Sequence, residues 1–202
     1  MTNRGILFVV SGPAGVGKGT VCKEYVSKNK NAFLSVSATT RAPRPGEEEG
    51  INYFFKTREE FERMLENDEF IEHAEFCGNL YGTPKRAVEQ RLEQGSDVIL
   101  EIEVQGALQI KQKFSECVLI FIVPPSYGEL ETRLVGRGTE TPEVVEKRLR
   151  RALEEFQLMS KYDYILMNDV VDDAEARLEC IAAAERLKAS RNTELIKELC
   201  LK

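Results

Sequence analysis

Residues 6–20 read ILFVVSGPAGVGKGT, an apolar run from Ile6 to Val10, one serine, and then four glycines and a lysine in nine residues. A β-branched run that stops at a glycine-rich loop and resumes as a helical pattern is a buried strand feeding a helix through a turn. In that setting Gly12, Gly15, Gly17 and Gly19, with Pro13, Ala14 and Val16 between them, let successive backbone N–H groups turn inward on phosphate oxygens. The helix start adds its dipole, and Lys18 supplies a point charge to the terminal phosphates. The strict pattern has Ser or Thr directly after the lysine, and here that place holds Gly19. Thr20, or a water, then takes the hydroxyl's part on magnesium. The loop predicts a nucleoside triphosphate with Mg2+ and does not name the reaction.

Outward from the loop, β-branched runs alternate with helical periodicities. Strands are expected over 6–11, 33–37, 98–103, 118–123 and 164–168, and helices over about 18–27, 106–113, 129–135, 142–161 and 173–190. This alternation specifies an α/β fold, a P-loop NTPase-type parallel sheet core flanked by helices. Helix starts are marked by Thr141 before Pro142 and by the capping-box spacings of Ser126 with Glu129 and Thr57 with Glu60. Between 39 and 84 the texture changes to turn-rich APRPGEEEG, alternating INYFF and then EFIEHAEFCGNLYG, a small strand-rich insertion on the core. Residues 192–202 form an amphipathic tail whose Leu195, Ile196 and Leu199 are expected to pack on the domain. No repeat or linker divides the chain, so residues 1–202 are expected to form one domain.

The 28 Lys and Arg, 34 Asp and Glu and single His give a net charge of -6, with 42% hydrophobic residues. That describes a soluble domain large enough to bury a core, and its acidic balance opposes coating nucleic acid or an anionic membrane. Along the chain the charge is uneven: +6 over residues 1–45, -11 over 46–132, +3 over 133–151 and -4 over 152–202. The two basic segments suit small phosphates. Five scattered cysteines without a C-x-x-C pair point to a reduced chain, neither a disulfide framework nor a zinc module. The apolar runs are too short for a membrane span and no signal-peptide h-region opens the chain, so a cytoplasmic location is expected.

The GKGT ending and Pro13 resemble the phosphate loop of adenylate kinases and related nucleoside monophosphate kinases. Further on, SVSATTRAPRPG (35–46), INYFF (51–55), FIEHAEFCGNLYGT (70–83) and LVGRGTETPEVVEKRLRRA (134–152) resemble the guanylate kinase family, a similarity running from about residue 6 to 187. The resemblance implies a core (about 1–36, 85–125 and 160–202), a GMP-binding insertion (about 37–84) and a helical lid (about 126–159). It implies the reaction ATP + GMP to ADP + GDP with Mg2+, small-molecule substrates with dGMP as a further acceptor, and no obligate protein partner.

A monophosphate acceptor carries about two negative charges and needs cations aimed at it. Arg41 and Arg44 lie three apart in a proline-bounded loop suited to holding guanidinium forks, and Tyr53 and Tyr81 add hydroxyls. The resemblance assigns all four to the GMP phosphate. Guanine presents two donors, N1–H and the 2-amino group, where adenine presents an acceptor at N1. A carboxylate at Glu72 accepts from both, and hydroxyls at Ser37 and Thr83 complete the edge. Buried complementarity of this kind discriminates by about ten-thousandfold.

Arg133, Arg137 and Arg148 match the family's lid arginines, with Gly136 and Gly138 as flexible points. Lys18, Arg44, Arg137 and Arg148 form the expected catalytic set, and the resemblance implies that Arg133 and Asn168 join the loop in binding ATP. Arg150 and Arg151 read as a solvated helix face, His73 as structural and Cys22 as core packing. One departure stands out. The family usually shows Asp-x-Asp before the Gln-Gly turn, and here LEIEVQGA places Glu101 and Glu103 there, each one methylene longer and each carried into the GMP-binding set. A kinase for another base is argued against by Glu72 and Ser37, and a non-catalytic protein-binding scaffold by Lys18 and the lid arginines. A small GTPase is argued against by the lack of an Asn-Lys-x-Asp motif.

Overall fold

Every residue of β1 (Leu7–Ser11) is buried, and the main sheet is built around it. The computed structural model describes residues 4–76, 78–136 and 141–200. All strands of this sheet run parallel, in the order β2 (Ala32–Leu34), β7 (Asp97–Glu101), β1, β8 (Val118–Val123), β9 (Tyr164–Met167). Because side chains alternate across a strand, Phe8 and Val10 face one side and Leu7 and Val9 the other, and both sides are covered by helices.

The first side packs against α1 (Lys18–Lys28), α5 (Tyr127–Val135), α6 (Pro142–Phe156) and α7 (Val171–Arg186), burying Val21, Tyr25, Leu130, Leu149 and Leu178. The second side receives Val88 and Leu92 of α3 (Lys85–Glu93) and Ala107 and Ile110 of α4 (Val104–Lys113). Each such large side chain contributes about 1.5–3 kcal/mol on burial, and truncating Phe8 to Ala costs about 3–5 kcal/mol. Buried Asp97 pins the sheet to a helix: its carboxylate accepts from the Ile6 N–H at 2.8 Å and pairs with Arg186 of α7.

A second sheet, in the order β4 (Phe54–Phe55), β3 (Ala38–Thr39), β6 (Asn79–Pro84), β5 (Phe70–Phe76), is mixed, with β3 parallel to β4 and antiparallel to β6. It carries its own small core of Ala38, Phe61 and Phe70, the two rings stacked at 4.4 Å. Phe61 comes from α2 (Arg58–Glu66), which opens on the reciprocal capping box of Thr57 and Glu60 expected from sequence.

Several element ends differ from expectation. The Ser35 N–H makes β2's last bond toward β7, and the Ser37 carbonyl already accepts from Phe54 of the second sheet, so the strand stops at Leu34 rather than 37. β7 ends at Glu101 because Glu103 is the N-cap of α4. α6 ends at Phe156, where bonds tighten to three-residue spacing before the 3-10 turn Met159–Lys161. Thr141 precedes Pro142 as expected but makes no side-chain cap bond, whereas Ser126 accepts from Glu129. The tail forms α8 (Thr193–Cys200) without burying a residue; Leu195, Ile196 and Leu199 are exposed, the last 71%, correcting the expectation that they pack on the domain. Cys22 is in the core.

Candidate active site

The glycine-rich loop sits where β1 ends and α1 begins, at the carboxyl edge of the parallel sheet. Gly12, at φ 141°, passes so close to β8 that a Cβ there would lie 2.4 Å from the Ile122 carbonyl oxygen. Gly17, at φ 86°, caps α1 without a side-chain bond, and no acidic residue occupies the first turn. The N–H groups at that end are left to point at an anion, in contrast to α2 and α5, whose starts are closed by side chains. The Lys18 ammonium donates to the carbonyls of Gly12 at 2.6 Å and Pro13 at 3.1 Å, which folds the loop around it and holds the charge at its mouth. Thr20 is exposed in the first turn of α1.

Asn168, just past β9 and 4% exposed, braces this loop from behind. Its Nδ2 donates to the Val16 carbonyl at 2.7 Å, while its Oδ1 is buried without a partner among the described residues.

In the second sheet, Glu72 of β5 is 5% exposed and accepts from the Thr83 hydroxyl of β6 at 2.7 Å. Burial raises the Glu72 pKa, and the Thr83 hydroxyl opposes it. The carboxylate reaches the first turn of α4, so the second sheet abuts the core at the β7–α4 turn. Arg41 is held as a fork. Its Nη2 donates to both carboxylate oxygens of Glu47 at 2.8 and 2.9 Å, its Nη1 donates to the Ala42 carbonyl at 2.8 Å, and its guanidinium lies 5.3 Å from the Tyr53 ring centroid. Tyr53 and Tyr81 meet edge to face at 6.1 Å. The Arg44 N–H donates to Glu47 at 2.8 Å, and its side chain is exposed. Ser37 is placed beside β3 with its carbonyl, not its hydroxyl, engaged.

Glu47 is a residue that sequence reasoning missed. The available signal was a carboxylate three residues after Arg44, across a turn at Gly46 with φ 84°.

Glu101 stands between the two halves. The residue as a whole is exposed at the end of β7, but its carboxylate packs over the phosphate loop, where a Cβ on Gly19 would lie 3.1 Å from Oε2. Burial of that carboxyl raises its pKa, with Lys18 and Lys23 opposing. Glu103 accepts from Arg151 Nη2 at 3.4 Å, and Arg151 Nε also donates to the buried Glu155 at 2.9 Å. Arg151 is therefore a tie between α6 and the β7–α4 turn, which corrects its reading as a solvated face. Arg150 does lie on such a face, paired with Glu146. Arg133 on α5 pairs with Glu129, Arg148 is half-buried on α6, and Arg137 lies outside the described residues. His73 is exposed.

A parallel sheet with a phosphate cradle at its carboxyl edge, and beside it a second sheet offering a carboxylate, hydroxyls and an oriented guanidinium, define a P-loop nucleoside monophosphate kinase. The guanylate kinase family model matches residues 4–185. A guanylate kinase of Halalkalibacterium halodurans is 54% identical over 196 residues, covering 97% of this chain and 96% of that one. Another, of Desulfitobacterium hafniense, is 53% identical over 189 residues and 94% of each chain. The crystal structure of a guanylate kinase from Anaplasma phagocytophilum superposes with a TM-score of 0.80 at 36% identity, covering 97% of this chain and 95% of that one. The chain belongs to the guanylate kinase family and is an enzyme of that family.

Proposed function

We propose that this enzyme transfers the γ-phosphoryl group of ATP to GMP, giving ADP and GDP, and that the residues above divide the work between a donor and an acceptor side. The observation that carries the reading is the pairing, across one turn, of the Lys18 phosphate cradle with the buried Glu72–Thr83 pair. The backbone of 12–20 and Lys18 hold the ATP phosphates, and Asn168 and Arg133 join them on the donor side. Arg41, Arg44, Tyr53 and Tyr81 take the GMP phosphate, and Glu72, Ser37 and Thr83 take the guanine edge, with dGMP accepted through the same contacts. Residues 126–159, carrying Arg133, Arg137 and Arg148, act as a lid over a core of 1–36, 85–125 and 160–202 and an insertion of 37–84.

Phosphoryl transfer asks for alignment and charge neutralisation more than covalent chemistry. An oxygen of the GMP phosphate, already ionised, forms the new bond to the γ-phosphorus as the bond to the β–γ bridging oxygen breaks, so no general base is required. The arginines neutralise charge spreading over the equatorial oxygens, and closure of the lid excludes water. The donor set suits magnesium. The Thr20 hydroxyl, a hard oxygen at the loop's end, would hold the ion directly or through a water, and the Glu101 carboxylate over Gly19, carried with Glu103 in the GMP-binding set, would reach a water of the ion. When bound, that ion supplies charge neutralisation between the phosphates. The reading places the enzyme in the cytoplasm; among the described residues no helix is long and apolar enough to cross a membrane.

An ADP-release assay offering GMP, dGMP, AMP, CMP, UMP and dTMP tests the specificity: GMP should react fastest, and equal rates for another base would overturn the guanine assignment. Lys18→Ala should lower turnover about 100- to 1000-fold with the fold intact. Wild-type turnover would remove Lys18 from the catalytic set.

A further inference from the structure

Gly106 lies in the first turn of α4, is buried, and has none of the positive φ angles that call for glycine. Helical glycine is a poor choice on backbone grounds, since alanine stabilises a helix interior better than any other residue. What explains it lies across the sheet interface. A Cβ on Gly106 would stand 2.8 Å from Glu72 Oε2 and 3.5 Å from its Cδ, with Ile102 at 3.5 Å on another side. A real Cβ does not sit at 2.8 Å from an oxygen, and this carboxylate has little room to retreat: it is 5% exposed and its other oxygen is held by Thr83 at 2.7 Å.

We infer that Gly106 is a positioning residue for base selection, the missing side chain that lets the Glu72 carboxylate stand against α4 in the attitude that reads guanine. The inference rests on the assignment of Glu72 to the guanine edge. It adds that the specificity pocket is set from two bodies, with the acid on the second sheet and its seat on the core. The first turn of α4 also presents the positive end of the helix dipole to the carboxylate, which favours its ionised form against the cost of burial.

The test is Gly106→Ala alone and combined with Glu72→Ala, with steady-state kinetics for GMP and for IMP, which lacks the 2-amino group. Alone, Gly106→Ala should raise the GMP KM about tenfold or more, leave kcat within threefold and the ATP KM within twofold, and narrow the preference for GMP over IMP. Its melting temperature should stay within a few degrees of wild type, the helix gain offsetting part of the displacement of Glu72. Added to Glu72→Ala, it should change the GMP KM less than twofold, because the group it displaces is gone. A GMP KM within twofold of wild type for the single variant overturns the inference. So does an equal rise in both backgrounds, or a joint loss of kcat and thermal stability. If Glu72→Ala itself leaves the GMP dependence unchanged, the assignment of Glu72 falls instead.

Discussion

Replacing Glu47 with alanine removes three accepted hydrogen bonds at once, two from Arg41 and one from the Arg44 N–H. Both side chains of the Arg41–Glu47 pair are largely covered, at 14% and 18% exposure, so the pair is better shielded than a typical surface ion pair. Arg41 keeps its bond to the Ala42 carbonyl and its place over Tyr53. The net loss is then the value of one or two ordinary hydrogen bonds, about 1–2 kcal/mol, felt as disorder of the Arg41 guanidinium and of the backbone at Arg44 before GMP arrives. At about 1.4 kcal/mol per tenfold, the GMP KM should rise roughly 5- to 30-fold at saturating ATP. The ATP KM should not move, and kcat should fall less than the GMP KM rises. The Arg41 hydrogen bonds lower the Glu47 pKa below 4.5. The tie is therefore present above that ordinary value and lost as pH falls through the lower folded value, so the stability difference between wild type and Glu47→Ala should close in strong acid. A GMP KM within twofold of wild type would refute the view that Glu47 orders the acceptor arginines.

Asn168→Ala should lower stability by about 1–3 kcal/mol, a drop of several degrees in melting temperature, and raise the ATP KM, because it strands the buried Val16 carbonyl. An unchanged ATP KM would reduce Asn168 to core packing. Glu72 is an acid whose pKa burial raises, so its charged form weakens the fold above that pKa and costs nothing once protonated. Glu72→Gln should accordingly melt higher than wild type at pH 7.5, show no such gain at pH 4, and require more GMP; a lower melting temperature at pH 7.5 would contradict the sign. Leu195→Ser and Leu199→Ser should leave kcat and KM unchanged and the melting temperature within about 2 °C, since both side chains are exposed, and a larger drop in thermal melts would place α8 against the domain.

The three central strands β1, β7 and β8 were legible because each is a largely buried apolar run rich in β-branched residues, a pattern with few other meanings. Strand ends were less so, since β2 stops where its chain is captured by Phe54, a partner about twenty residues away. α3 went unread because it buries only Val88 and Leu92 and its N-cap is Pro84, without a side-chain bond. In α8 the periodicity was genuine and its covering was not, because amphipathic spacing says that a face exists and not what lies against it. In the site, glycines, lysine, arginines and the reading acid were visible as residue types suited to phosphate and guanine. Glu47 was hidden within the run Glu47 to Glu49, whose members differ only after folding. Gly106 looked like punctuation at a helix start until the position of Glu72 gave it a neighbour.

The loop's lack of a hydroxyl after Lys18 and the long acids of LEIEV look like two unrelated departures in the sequence. The contact between Gly19 and Glu101 makes them one fit, since any Cβ at position 19 obliges the Glu101 carboxylate to give way by a few tenths of an ångström. An aspartate, one methylene shorter, would stand back and leave room. The two positions, 82 residues apart, are thus a single unit of exchange. On this packing, glycine in the loop should go with glutamate at the strand end, and serine in the loop with aspartate there. Gly19→Ser alone should press on the Glu101 carboxylate, and Glu101→Asp alone should loosen the contact. Relatives compared at these columns should change in step, and a chimera that swaps the loop without the end of β7 should be impaired where the paired swap is not.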